Sequence, residues 1–154
     1  MATPASALEW SIKESLIGYL SALEDGVISA REGAVFDGAT FSFPLLEGSA
    51  FDFTELTGEL SFGGFASLTG HFGAMRIELL EPSIVCTDGD GHIQIRIKSA
   101  ISATPRIEQI AKISLSSVDG ELRGTTSLTA AGRMLIGQQY QVGQELAPVR
   151  VTRG

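Results

Sequence analysis

The stretch FASLTGHFGAMRIELLEP, residues 65–82, decides how the chain is read. Met75, Ile77 and Leu79 occupy alternate positions ahead of Pro82, the period-two pattern of a strand with one apolar face. Carried back through Gly73, the alternation puts His71 on that same apolar face, provided the glycine introduces no bulge. Two readings of His71 stay open. A histidine directed inward can fill core space and hydrogen-bond a carbonyl. Alternatively, the glycines at 70 and 73 omit side chains beside the imidazole, which leaves room for something flat to approach.

Working outward, the chain from Gly26 onward reads as short runs rich in Val, Ile, Phe and Thr, separated by glycine-containing turns. Strands are predicted over residues 33–43, 57–63, 65–80, 83–87, 92–103, 108–118 and 121–131, with a last pair within 133–151. DGDGH (88–92) and VDGEL (118–122) read as hairpin turns. In the run from His92, Ile93, Ile95 and Ile97 share one face, while His92, Gln94, Arg96 and Lys98 share the other and face solvent. Before Gly26 a helix is predicted over 8–23. Leu8, Ile12, Ser15, Leu16, Tyr19 and Leu23 recur at three- and four-residue spacing, with Ser6 or Thr3 as cap and Glu9 completing a capping box with Ser6. The hydroxyls of Ser15 and Tyr19 form an i, i+4 pair on that face. The fold class expected is mainly β: an antiparallel sandwich or barrel-like domain with an N-terminal helix packed on it. At 154 residues the chain is the size of one domain, 1–154.

Composition narrows the function. The chain is 44% apolar and 19% charged, which favours a folded chain over a disordered one. The net charge of −7, with 11 scattered Lys and Arg, leaves no electrostatic footprint for nucleic acid. Cys86, the single cysteine, excludes an internal disulfide and a cysteine-based zinc site, and reads as a small buried residue. No run approaches the roughly 18 uninterrupted apolar residues of a membrane span, and MATPASALEWSIKES lacks the pattern of a signal peptide. The expected location is cytoplasmic, or the chain is an excised domain of a cell-envelope or secreted protein.

Catalytic patterns are sparse. There is no Gly-x-Ser-x-Gly, and DGDG lacks the later ligands of a calcium loop. SFGGFAS lacks the lysine and the following helix of a phosphate cradle, and the 18 Asp and Glu suggest no carboxylate pair by spacing. No enzyme is expected.

Taken in order, LEWSIKESLIGYL, GATFSFPLLEG, GELSFGGFASLTGHFGAMRIELLEPSI, GHIQIRI and LTAAGRMLIGQQYQVGQELAP resemble the HtaA-type haem-binding domain family, over nearly the whole chain. The resemblance implies a haem uptake and transport module of bacterial cell envelopes. In that family a tyrosine of the N-terminal helix ligates ferric haem, a strand histidine hydrogen-bonds its oxygen, and a serine one turn earlier contacts a propionate. The matching positions are Tyr19, His71 and Ser15. The family's last motif typically carries a phenylalanine that stacks on the porphyrin near the position of Ile136, where this chain has an aliphatic residue instead.

The chemistry is coherent with that implication. A phenolate is a hard anionic donor suited to ferric iron, and a tyrosine, with an ordinary pKa of about 10, needs help to lose its proton near neutral pH. A hydrogen bond from an imidazole to the oxygen supplies such help. The cargo implied is ferric haem b, walled by Leu16, Phe72, Met75 or Ile136, with haem donor or acceptor proteins as partners. Two other readings remain. A peroxidase- or catalase-like enzyme would need a distal acid–base group, for which only His92 is left. A cofactor-free structural or protein-binding β-domain would make Tyr19 and His71 ordinary core residues.

Overall fold

The computed structural model describes residues 6–97 and 106–152. Twelve strands and two helices lie among them: β1 (Ala7–Trp10), α1 (Glu14–Ala22), β2 (Val27–Arg31), β3 (Val35–Phe36), β4 (Phe41–Pro44), β5 (Ala50–Asp52), β6 (Thr57–Ser61), β7 (Phe65–Gly70), β8 (Met75–Thr87), β9 (Asp90–Ile97), β10 (Arg106–Val118), β11 (Glu121–Leu128), α2 (Ala130–Ile136) and β12 (Val149–Thr152). All pairings are antiparallel. The order is β2-β7-β8-β9-β10-β11-β12-β1-β4-β3, with β6 on the second half of β8 and β5 on β6. The end strands β2 and β3 are consecutive in the chain, joined by a turn closed by Ala34 N–H to the Arg31 carbonyl. The result is a nearly closed, barrel-like, mainly β fold with an N-terminal helix.

The hairpins follow their turn residues. Asp88 and Gly89, then Asp119 and Gly120, all have φ between 50° and 88°, the left-handed pair that a two-residue hairpin needs. Alternation then fills the interior. Ile77, Leu79, Ile84, Ile93, Ile95, Ile113 and Leu122 point into one core with Trp10, Phe41, Phe43 and Phe62, while Arg96 and Lys112 face out. Cys86 is free and buried there, and burial pushes its thiol pKa up. Residues 98–103 of the predicted 92–103 strand lie outside the described residues.

Four expectations are corrected. The strand predicted over 65–80 breaks at His71–Gly73, a tight turn, and then runs through Pro82 to Thr87. Proline is tolerated because the pairing with β9 shifts register between Leu80 and Ser83 and Glu81 sits at φ 45°, a local irregularity that relieves Pro82 of a ladder donor. The region 33–43 divides into β3 and β4 around a turn capped by Asp37 Oδ1, which accepts from the backbone N–H of Ala39 and Thr40. The helix predicted over 8–23 begins only at Glu14; Ala7–Trp10 is a strand, hydrogen-bonded to β12 and β4. Positions 8, 12 and 16 are four apart, a spacing that satisfies both a strand and a helix, and the partners that choose the strand lie at 41–44 and 149–152, far along the chain. Finally, Ala130–Ile136 is a helix rather than strand, capped by Thr129, whose side chain accepts from Gly132 N–H at 3.0 Å.

Candidate functional site

Helix α1 buries Leu16, Ile17 and Leu20 and turns Ser15, Gly18 and Tyr19 to solvent. Ser15 and Tyr19 therefore sit one turn apart on the exposed face, not on the aliphatic stripe expected for them. The helix rests on the end of β7 at Gly70, where a Cβ would come within 3.0 Å of both Leu20 and Leu23. That close approach brings the next residue under the helix. Tyr19 Oη lies 2.6 Å from His71 Nε2, with the rings tilted at 41°. A distance this short is that of a strong hydrogen bond.

His71 is not on an inward strand face. It is exposed, at φ 51°, and Phe72 follows at φ 56° and Gly73 at φ 89°. Left-handed backbone at two consecutive residues with side chains costs on the order of 1–3 kcal/mol each, a strain that marks functional turns. The turn yields no compensating burial: Phe72 is 98% exposed. It is held instead by Asp25, in the loop after α1, whose Oδ2 accepts the Phe72 N–H at 2.5 Å.

Immediately beyond the turn, the start of β8 and the end of α2 enclose a cleft of about 340 Å³, lined by Ala74, Met75, Arg76, Ile77, Met134, Ile136 and their neighbours. Met134 is 73% exposed, whereas Ile136 is 3% exposed and joins the core from the cleft wall. Of the wall residues expected, Leu16 is sealed in the core, Met75 is half-buried at the cleft and Phe72 is free in solvent. Among the described residues Arg76 is the single cation lining the cleft, loosely paired with Glu78 at 3.4 Å. Sequence reasoning missed Asp25, Arg76 and Met134, because no spacing links them to Tyr19 or His71 before the chain is folded.

The remaining titratable groups are less suited to chemistry. Tyr140 is partly buried, and desolvation raises its pKa, which favours the neutral phenol. His92 lies across from Lys112 on the outer face of β9 and β10, in a groove of about 640 Å³ away from the Tyr19–His71 pair. Among the described residues no group of three or more His, Cys, Asp or Glu is arranged to hold a metal ion, and no helix is long and apolar enough to cross a membrane.

A barrel-like antiparallel sheet, a tyrosine offered from a helix face and a histidine from a strained turn define a small β-domain with an exposed tyrosine–histidine pair. Residues 5–152 match the HtaA family model, described as Htaa, and the chain belongs to that family. Solved structures share the fold. The N-terminal domain of HtaA from Corynebacterium glutamicum aligns with a TM-score of 0.77 at 21% identity, over 100% of this chain and 99% of that one. The C-terminal domain of the same protein gives 0.77 at 21% identity over 95% and 93%. The heme-binding protein HtaB from the same organism gives 0.72 at 21% identity over 96% and 92%. No curated protein matches the sequence.

Proposed function

We propose that this chain is a haem-binding carrier domain that takes ferric haem b through the Tyr19 oxygen. The observation that carries the reading is the 2.6 Å Tyr19–His71 contact at an exposed edge, beside a cleft of mixed lining in which Met75, Met134 and Ile136 stand with Arg76 and Gln139. In a structural role the hydroxyl would be buried and bonded to a carbonyl; here Tyr19 is 47% exposed and its hydroxyl makes its hydrogen bond to the imidazole of His71, itself an exposed residue. Membership of the HtaA family and the fold shared with HtaB support the same reading.

The residues present fit such a cargo. With Nε2 protonated, His71 donates to the Tyr19 oxygen and would hold it oriented as a ligand, and phenolate ligation, once haem is bound, would favour the iron as Fe(III). Phe72, Met75 and Met134 supply apolar surface for a porphyrin face, while the Ser15 hydroxyl and the Arg76 guanidinium are the partners offered to carboxylate groups. Ile136 backs the cleft with an aliphatic contact in place of a ring. The openness of the site suits transfer: a cargo gripped from one side can be handed to an acceptor protein from the other, or released when the iron is reduced. The domain moves haem and catalyses nothing; peroxide turnover equal to that of free haem is the expected control result.

Titrating the apo-protein with ferric haem tests this. Saturable one-to-one binding with a tyrosinate-type absorption spectrum is expected, lost in Tyr19→Phe and weakened in His71→Ala. Absence of saturable binding by the wild type would leave a cofactor-free β-domain as the better account.

A further inference from the structure

We infer that Asp25 is a positioning residue for haem capture, acting through the His71–Phe72 turn; this rests on the haem-binding reading above. Asp25 follows α1, the helix that carries Tyr19, and is 47 residues from Phe72 in sequence. Its Oδ2 nevertheless accepts the Phe72 N–H at 2.5 Å. That bond ties the two halves of the site together at a second point, independent of the Tyr19–His71 contact.

The turn needs such a tie. His71, Phe72 and Gly73 have φ of 51°, 56° and 89°, and neither His71 nor Phe72 is anchored by burial of its side chain. Within the turn, Ala74 N–H donates to the His71 carbonyl at 3.1 Å. Left to local preference, side-chain-bearing residues drift back to negative φ, which would swing the imidazole off the Tyr19 oxygen. A carboxylate accepting the middle N–H of the turn is a charge-assisted bond, among the stronger single restraints a side chain can place on backbone. The role assigned is geometric: Asp25 touches neither iron nor porphyrin, and sets where His71 and the Phe72 ring stand before haem arrives.

Ferric haem is titrated into wild type, Asp25→Asn, Asp25→Ala, His71→Ala and the Asp25→Ala/His71→Ala double variant. Asparagine keeps an oxygen acceptor for the Phe72 N–H, so Asp25→Asn should retain the wild-type spectrum and most of the affinity. Asp25→Ala should bind about tenfold more weakly, the scale of one lost hydrogen bond to a charged group, with a shifted tyrosinate band. In the His71→Ala background the same change should cost little more, since Asp25 acts through the turn. A second measurement needs no haem: the Phe72 amide proton resonance of the apo-protein should sit downfield in wild type and Asp25→Asn and move upfield in Asp25→Ala. Wild-type affinity in Asp25→Ala, an equal loss in both backgrounds, or an unmoved Phe72 amide would overturn the positioning role while leaving haem binding intact. Failure of wild type to bind haem would instead remove the reading on which it rests.

Discussion

Two aromatic regions of this molecule are built on opposite terms. In the core, Trp10, Phe41, Phe43 and Phe62 are almost wholly removed from water, and Trp10 Nε1–H donates to the Ala147 carbonyl at 2.8 Å, so that ring's polar edge is satisfied in the interior. At the rim, Tyr19, His71 and Phe72 stand in solvent, two of them on left-handed backbone. The first set stabilises the fold through burial and packing. The second contributes little burial and carries strain, and is explained by what it presents. Stability and ligand capture are thus assigned to different aromatic clusters, and mutations should separate them.

The largest effect is expected in the interior. Trp10→Ala should lose about 3–5 kcal/mol in chemical denaturation, because it empties a large buried volume and leaves the Ala147 carbonyl with one partner, Thr126 Oγ1, instead of two. Tyr19→Phe should do the reverse: unfolding free energy within roughly 0.5 kcal/mol of wild type, with at least a tenfold loss of haem affinity by absorption titration. A large stability loss in that variant would mean that the rim is structural after all. Phe72→Ala is expected to leave thermal stability nearly unchanged and to weaken haem binding by a few-fold to about tenfold, the worth of one aromatic contact.

The smallest effect lies away from both clusters. Glu121 accepts two 2.7 Å bonds from the Arg150 guanidinium, which hold its carboxyl pKa below the ordinary 4.5. A lowered folded-state value contributes stability that is present above the unfolded pKa and is lost as pH falls through the folded one. Glu121→Gln should therefore flatten the acid limb of the stability profile below about pH 4.5 while leaving haem binding at neutral pH untouched. The pair lies at the surface, with Arg150 exposed and Glu121 half-buried, so the change is a small one.

How much of this was legible in the sequence differs between the same two regions. The interior follows from alternation and turn chemistry: Ile93 and Ile95 in, Arg96 out, and hairpins at Asp88-Gly89 and Asp119-Gly120. Even there, β1 passed for helix, since its strand partners lie at 41–44 and 149–152 and no local spacing reveals them. Helix α2 passed for strand because seven residues show too few turns for a 3.6 period to emerge. At the rim, the residue types were readable but their surroundings were not. His71 continues an apolar alternation that the chain itself abandons at Gly70, and the positive φ that takes it out of the strand belongs to a tertiary arrangement of α1, Asp25 and β7. Cleft residues such as Met134 and Arg76 come together only when α2 packs on β10 and its end reaches the cleft at the start of β8.

The most direct test of the central claim is resonance Raman spectroscopy of the ferric haem complex, excited in its charge-transfer band, on wild type with unlabelled and ring-deuterated tyrosine and on Tyr19→Phe. Tyrosinate modes that shift with the label in wild type and vanish in Tyr19→Phe are the result predicted. Modes that persist in Tyr19→Phe, pointing to Tyr140, or a wild-type complex with no tyrosinate modes at all, would contradict it.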